Sequence, residues 1–350
     1  MISPRSASLP GGPTTGVEEL FDAAAAAEGI AEQRIMIGGL PIRLRFAGEA
    51  MRRRIGGSFS HLVSEEPGEG ELIVDVWDSA STGVGAPPLL GAPVEGDGTG
   101  PIYYYEQDGV RALSRWSTLS VLDGGSGHAW FWTPDPAELL SWDWASPLRA
   151  ILHWWLGRHG ILQVHGGAVG GPDGGVLVVG RGGSGKSTTT LACLSSGLRY
   201  AGDDFVGIQV EPEPWVHSLY SSGKLEPHHL ERFPSLISAV ANPVRRKEEK
   251  AIVFAAEAAP GVPITGFPLR AVLVPKVVAA EPQSRVVPTS PVAALAALAP
   301  STIFQLHPPQ TDALARMSAL VRQVPCFSLE LGSDVTRIPE TILALLEVQP

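Results

Sequence analysis

Cysteine is nearly missing from this chain: Cys193 and Cys326 are the only two in 350 residues. Two thiols cannot build a disulfide framework, and neither stands in a CxxC or His-rich spacing suited to a metal, so both read as core thiols. Long apolar runs are missing too. No uncharged stretch reaches the roughly 18 residues that a membrane-spanning helix needs, and the first residues lack the basic segment, apolar core and cleavage site of a secretory leader. The expected address is the cytoplasm, with no membrane partner. Positive charge is scarce as well: 26 Lys and Arg stand against 36 Asp and Glu, a formal net charge of -10. Affinity for nucleic acid comes largely from Lys and Arg displacing counterions, so a nucleic-acid partner is not expected. The compact basic runs, Arg52-Arg53-Arg54 and Arg245-Arg246-Lys247 followed by Glu248-Glu249, read as solvated surface.

What is present suits a globular protein with a sizeable core: 44% of residues are hydrophobic and 18% charged, while 40 Gly and 31 Pro call for many turns. The length allows two ordinary domains. Residues 1–15 carry no periodicity and read as a disordered leader, and the alanine run in 17–33 suits a short helix, giving a leader segment over 1–33. From 34 to 145 the pattern is β-rich. Segments 35–46, 72–77, 102–106, 112–116 and 128–132 read as strands, 49–55 as a short helix and the Gly/Pro-rich 83–101 as a loop. Eight of the nine tryptophans fall between Trp116 and Trp215. Their common use is packing. The apolar helix predicted at 147–156 leads into a second domain, 146–350.

That domain alternates strands and helices, as an α/β fold does. Strands are predicted at 162–169, 176–179, 198–201, 205–210, 251–255 and 269–274, and helices at 186–196, 291–298, 311–324 and 339–347. Between the strand VLVV and the helix at Lys186 runs Gly180-Arg181-Gly182-Gly183-Ser184-Gly185-Lys186-Ser187, which fits G-x-x-x-x-G-K-[ST] in the required context. Glycines let a loop curl so that successive amides face a polyphosphate, and the helix start adds positive potential. Lys186 would bridge the terminal phosphates of ATP, the Ser187 hydroxyl would ligate Mg²⁺, and Thr188 continues the helix beside them.

Asp203 and Asp204 follow the next apolar strand, at the edge where acidic side chains can hold Mg²⁺ or accept a hydroxyl proton. His165, in HGGAV, lies one strand-turn-strand connection before the loop, which points its imidazole toward the terminal phosphate. Three other segments stand near. Lys224 sits in a Gly/Ser-rich stretch and reads as a solvated cation, Lys250 opens a strand, and Ser301 or Thr302 reads as a helix N-cap with Gln305 following.

At three of these elements the chain resembles the HPr kinase/phosphorylase family and its relatives, which share a nucleotide fold with ATP-dependent phosphoenolpyruvate carboxykinase. They are His165 in HGGAV, the loop GRGGSGKS, and Ala201-Gly202-Asp203-Asp204, in the family's order and at similar intervals. The resemblance covers roughly residues 160–210. It implies an α/β, HPr-kinase/PEP-carboxykinase-like P-loop domain preceded by a smaller β-rich α+β domain. It further implies that one Asp takes the proton from a serine hydroxyl; by position Asp204 is the base and Asp203 supports the metal. Because the family is often oligomeric, a homo-oligomer is implied. The family's E-x-R-G segment is absent beyond the Asp pair, so the resemblance does not extend to reverse phosphorolysis or to HPr as substrate. The chain is more similar to HPr-kinase-like serine kinases found beside peptide-modification genes, including lasso-peptide kinases. The expected activity is ATP-dependent phosphorylation of a hydroxyl on a peptide, protein or small metabolite. The alternative is a switch that binds or slowly hydrolyses ATP with no acceptor.

Overall fold

The computed structural model describes residues 14–66, 70–94, 100–115, 117–246, 249–278 and 281–348. The expected leader up to residue 13, and Trp116, Lys247 and Glu248, lie outside these. The chain divides into two compact units. One holds the described residues up to Gly57 with Val63–Trp155, and the other Ser58–Leu62 with the chain from Leu156 onward. Both are mixed α/β, each with a large mixed sheet.

The first unit's strands are β1 (Ile30–Ile37), β2 (Leu40–Ala47), β3 (Leu72–Asp78), β4 (Ala92–Val94), β5 (Ile102–Gln107), β6 (Val110–Arg115), β7 (Thr118–Asp123) and β8 (His128–Thr133). They run in the order β1-β2-β3-β8-β7-β6-β5-β4, with β2–β3 and β3–β8 parallel. The single strand predicted over 35–46 is a hairpin, broken at the Gly38-Gly39 turn, a dipeptide suited to tight two-residue connections. The first helix is Thr15–Glu28, shorter than predicted, because the residues after Gly29 pair with β2. Its Val17, Phe21 and Ala24, spaced at helical intervals, are buried in a core with Trp77, Val121 and Trp130. Arg54 corrects the reading of its basic run as solvated: its guanidinium donates to the Leu139 carbonyl at 3.2 Å and lies 4.4 Å from the Trp144 ring centroid.

The second unit holds β9 (Ile161–Gly171), β10 (Gly174–Val179), β11 (Arg199–Gly202), β12 (Phe205–Gln209), β13 (Trp215–Ser218), β14 (Ser222–Leu225), β15 (Ala251–Phe254), β16 (Gly266–Val277), β17 (Arg285–Pro288) and β18 (Cys326–Leu331). The main sheet runs β10-β9-β12-β13-β16-β18-β17, β11 also pairs with β9, and β10 with β16; β14 and β15 form a ribbon of their own. The run VLVV is apolar throughout because both faces of β10 are covered. Leu177 and Val179 pack with Leu298, Met317 and Leu320 of the helices Pro291–Ile303 and Ala313–Gln323. Val176 and Val178 pack with Leu191, Ile338 and Ile342 of the helices Lys186–Ala192 and Ile338–Val348.

The long strand β9 changes neighbours midway. Its first half pairs with β12 up to His165 opposite Phe205; its second half pairs with β10 from Gly166 opposite Val179, and with β11. Since β11 and β12 both lie against β9, the intervening Asp203-Asp204 crosses at the point of change, where the Gly166 amide donates to the Asp204 carbonyl at 3.1 Å.

Candidate functional site

The loop 180–185 connects β10 to the helix Lys186–Ala192, as predicted from its spacing. Arg181, Gly182 and Gly183 are exposed at its apex, while Lys186, Thr188, Thr189 and Thr190 are buried at its base. Gly185 has φ of 105°, and a Cβ there would stand 2.3 Å from the Leu331 side chain, so both conformation and space demand glycine. Lys186 turns back into the loop and donates from Nζ to the carbonyls of Gly180 at 2.6 Å and Arg181 at 3.3 Å. Burial pushes its ammonium below the usual lysine value, against the pull of Asp203 and Asp204. Ser184 Oγ is buried without a hydrogen-bond partner.

The Asp pair occupies the bend between β11 and β12, and its two side chains meet different surroundings. Asp203 points inward and is 1% exposed. Its Oδ1 accepts from Thr190 Oγ1 at 2.8 Å and its Oδ2 from the Lys224 amide at 2.9 Å. Burial raises its pKa above the usual carboxylate value and Asp204 adds to the rise, while the Lys224 amide and the Thr190 and Ser187 hydroxyls oppose it. Asp204 keeps 22% of its side chain exposed. His165 Nε2 stands 3.2 Å from its Oδ1 and Lys224 Nζ 2.6 Å from its Oδ2. Burial would raise this carboxyl, but the Lys224 ammonium and the His165 hydrogen bond outweigh it and hold it well below the usual range.

His165 is fixed from the far end of the unit. Its amide donates to Thr302 Oγ1 at 3.1 Å, Gln305 Nε2 stands 3.2 Å from its Nδ1, and its ring packs 5.3 Å from that of Phe205. Thus His165, Asp203, Asp204, Lys186 and Ser187 all gather at one edge of the second unit.

Two readings of the sequence need correction. Lys224 is 8% exposed and ion-paired rather than solvated, because its stretch forms β14 and faces the Asp pair. Thr302 is no N-cap: the helix runs through Pro300 to Ile303, placing Thr302 in its last turn against β9. Lys224, Thr302 and Gln305 carried little local signal, since what recruits them is contact across 20, 137 and 140 positions of sequence. Lys250 is exposed and pairs with Glu226 at 3.2 Å.

Whether ATP and Mg²⁺ suit these residues can be asked of the donors. The unpartnered Ser184 hydroxyl and the Lys186 ammonium inside the loop suit an anion. Mg²⁺ is commonly held by one or two carboxylates together with substrate phosphates, and Ser187 with a carboxylate of the Asp pair would supply the protein side of such a site. Among the described residues no group of three or more His, Cys, Asp or Glu is placed to hold a metal. No helix of the described residues is long and apolar enough to cross a membrane.

No family model matches the chain, and no curated protein matches it. Among solved structures, it has a slight likeness to the Hpr(Ser) kinase/phosphatase from Coxiella burnetii. That match has 12% identity and a TM-score of 0.30, over 53% of this chain and 96% of that one.

Proposed function

We propose that the second unit is a P-loop kinase domain, preceded by the β-rich first unit, that transfers the γ-phosphoryl group of ATP to a hydroxyl. The acceptor is a serine or comparable alcohol on a peptide, a protein or a small metabolite. The observation that carries this reading is the division of labour in the Asp pair. Asp203 is sealed against Thr190 of the helix that follows the loop and the Lys224 amide, whereas Asp204 is the accessible carboxylate.

In this reading the loop amides and Lys186 bind the phosphates, and Ser187 and Asp203 hold Mg²⁺, which supplies charge neutralisation on the transferring group. Asp204 accepts a hydrogen bond from the acceptor hydroxyl and orients its oxygen toward the γ-phosphorus. As the new O–P bond forms, the bond to the ADP oxygen breaks and the hydroxyl proton passes to Asp204. Its depressed pKa makes Asp204 a weak base, which suits a loose transition state in which positioning outweighs early proton removal. His165 holds the carboxylate's other edge.

The test is incubation of the purified chain with γ-labelled ATP and Mg²⁺, alone and with serine-containing peptides encoded by neighbouring genes. Label in a peptide or metabolite hydroxyl supports the kinase reading. Release of inorganic phosphate with no labelled acceptor overturns it in favour of an ATP-driven switch.

A further inference from the structure

A single residue outside the loop, the Asp pair and His165 touches both carboxylates. The main-chain amide of Lys224 donates to Asp203 Oδ2 at 2.9 Å, and its ammonium reaches Asp204 Oδ2 at 2.6 Å. This double contact requires the β14 backbone to lie hard against the helix Lys186–Ala192. Gly223 permits that approach, since a Cβ there would stand 2.5 Å from the Leu191 side chain. The ribbon is held from behind by β15, with Lys224 opposite Ile252. The strand therefore fixes where the amide goes, and the lysine stem carries the cation from there to the second carboxylate.

We propose that Lys224 is the positioning residue of the site, clamping Asp204 between its own ammonium and His165 while its amide holds Asp203 against the phosphate-loop helix. The proposal rests on the kinase reading for its role in transfer, and on the geometry alone for the clamp.

The two contacts have separate consequences. Losing the ammonium leaves the Asp203 contact intact, because a side-chain substitution keeps the amide. Asp204 then has one anchor, His165 Nε2, and its carboxylate is free to rotate away from the acceptor. Misplacement of a reacting group by about 1 Å can cost about 10²-fold in rate. ATP affinity should change little, because Lys224 contacts the carboxylates and the loop lysine is Lys186.

The experiment compares the full-length chain with Lys224→Met, which keeps the stem volume, and Lys224→Arg, which restores a cation. The readouts are ATP affinity by calorimetry, kcat and KM for ATP in label transfer, and a crystal structure of each variant. The expected result for Lys224→Met is a kcat lower by about 10²-fold, ATP affinity unchanged within about threefold, and the Asp204 carboxylate turned about its His165 contact out of its wild-type orientation. Lys224→Arg should recover a large part of kcat and the Asp204 position. If Lys224→Met does not fold, Lys224→Ala, which has no donor and leaves room for water beside Asp204, takes its place with the same expectations. ATP affinity falling in step with kcat would overturn the proposal and make Lys224 a phosphate ligand. An Asp204 carboxylate that keeps its wild-type orientation in the variant would overturn it too. Should the wild-type chain transfer no label at all, the kinase reading fails by itself, and the crystal structures still decide the clamp.

Discussion

Gln305 Nε2 lies 3.2 Å from Nδ1 of His165, a residue 140 positions earlier in the chain. An amide nitrogen only donates, so Nδ1 accepts, and the proton of the neutral ring rests on Nε2, 3.2 Å from Asp204 Oδ1. The tautomer of His165 is thus set by a residue beyond the end of a helix in the second half of the unit. Gln305→Leu removes that constraint. A net hydrogen bond is worth about 0.5–1.5 kcal/mol, so kcat should fall by up to about tenfold with KM for ATP unchanged. Steady-state transfer kinetics check this, and an unchanged kcat would show that the tautomer does not matter to the reaction.

Lys186→Ala should weaken ATP binding while leaving the fold intact. The side chain's own contacts are two loop carbonyls rather than core atoms. A hydrogen bond to a charged group contributes about 1.5–3 kcal/mol, corresponding to a loss of roughly 10- to 150-fold in affinity. Calorimetric titration with ATP and Mg²⁺, beside a thermal melt, separates the two effects. Unchanged affinity would remove the loop from the nucleotide site.

The members of the Asp pair should respond differently to loss of the carboxylate. Asp204→Asn keeps the shape of an accessible side chain but loses the carboxylate, so ATP binding persists and transfer stops. Asp203→Ala strands the Lys224 amide in a buried place and leaves the Thr190 hydroxyl only carbonyls of its own helix, at about 1–3 kcal/mol of stability. Chemical denaturation alongside transfer assays reads both. Equal stability losses in the two variants would contradict the inward and outward division.

Acid should destabilise the second unit through two buried histidines. Burial pushes His217 and His61 down from the usual 6.5 to about 4. Their folded-state pKa values are below the unfolded ones, so the unfolded chain binds more protons between pH 6.5 and about 4. Stability is therefore complete above pH 6.5 and declines as pH falls through that window. His217→Gln should flatten the decline in urea denaturation measured at stepped pH, and an unaltered slope would assign the sensitivity elsewhere.

Local chemistry made much of the second unit legible. The strand VLVV, the glycine loop and the helix at Lys186 are consecutive, and each is dictated by its own residues: an apolar run, glycines and a helical pattern. Strands β13, β14, β17 and β18 were not expected. In β14 the residues Ser222-Gly223-Lys224-Leu225 have weak strand preference, and pairing with β15 and packing on Leu191 supply what propensity does not. In the first unit the Gly38-Gly39 turn divided what reads as one apolar strand.

By itself the sequence determined the order strand, loop, helix, strand and acidic pair, because those features arise from neighbours along the chain. Tertiary structure alone decided which carboxylate is sealed and which is open. That choice depends on β11 and β12 pairing in turn with the same long strand, which sets Asp203 and Asp204 in the bend between them, Asp203 toward Thr190 and Asp204 toward His165. It also decided that Lys224, Thr302 and Gln305 belong to the site. Desolvation and hydrogen bonding act over a few ångströms of space, whatever the distance in sequence, so no local pattern carries them.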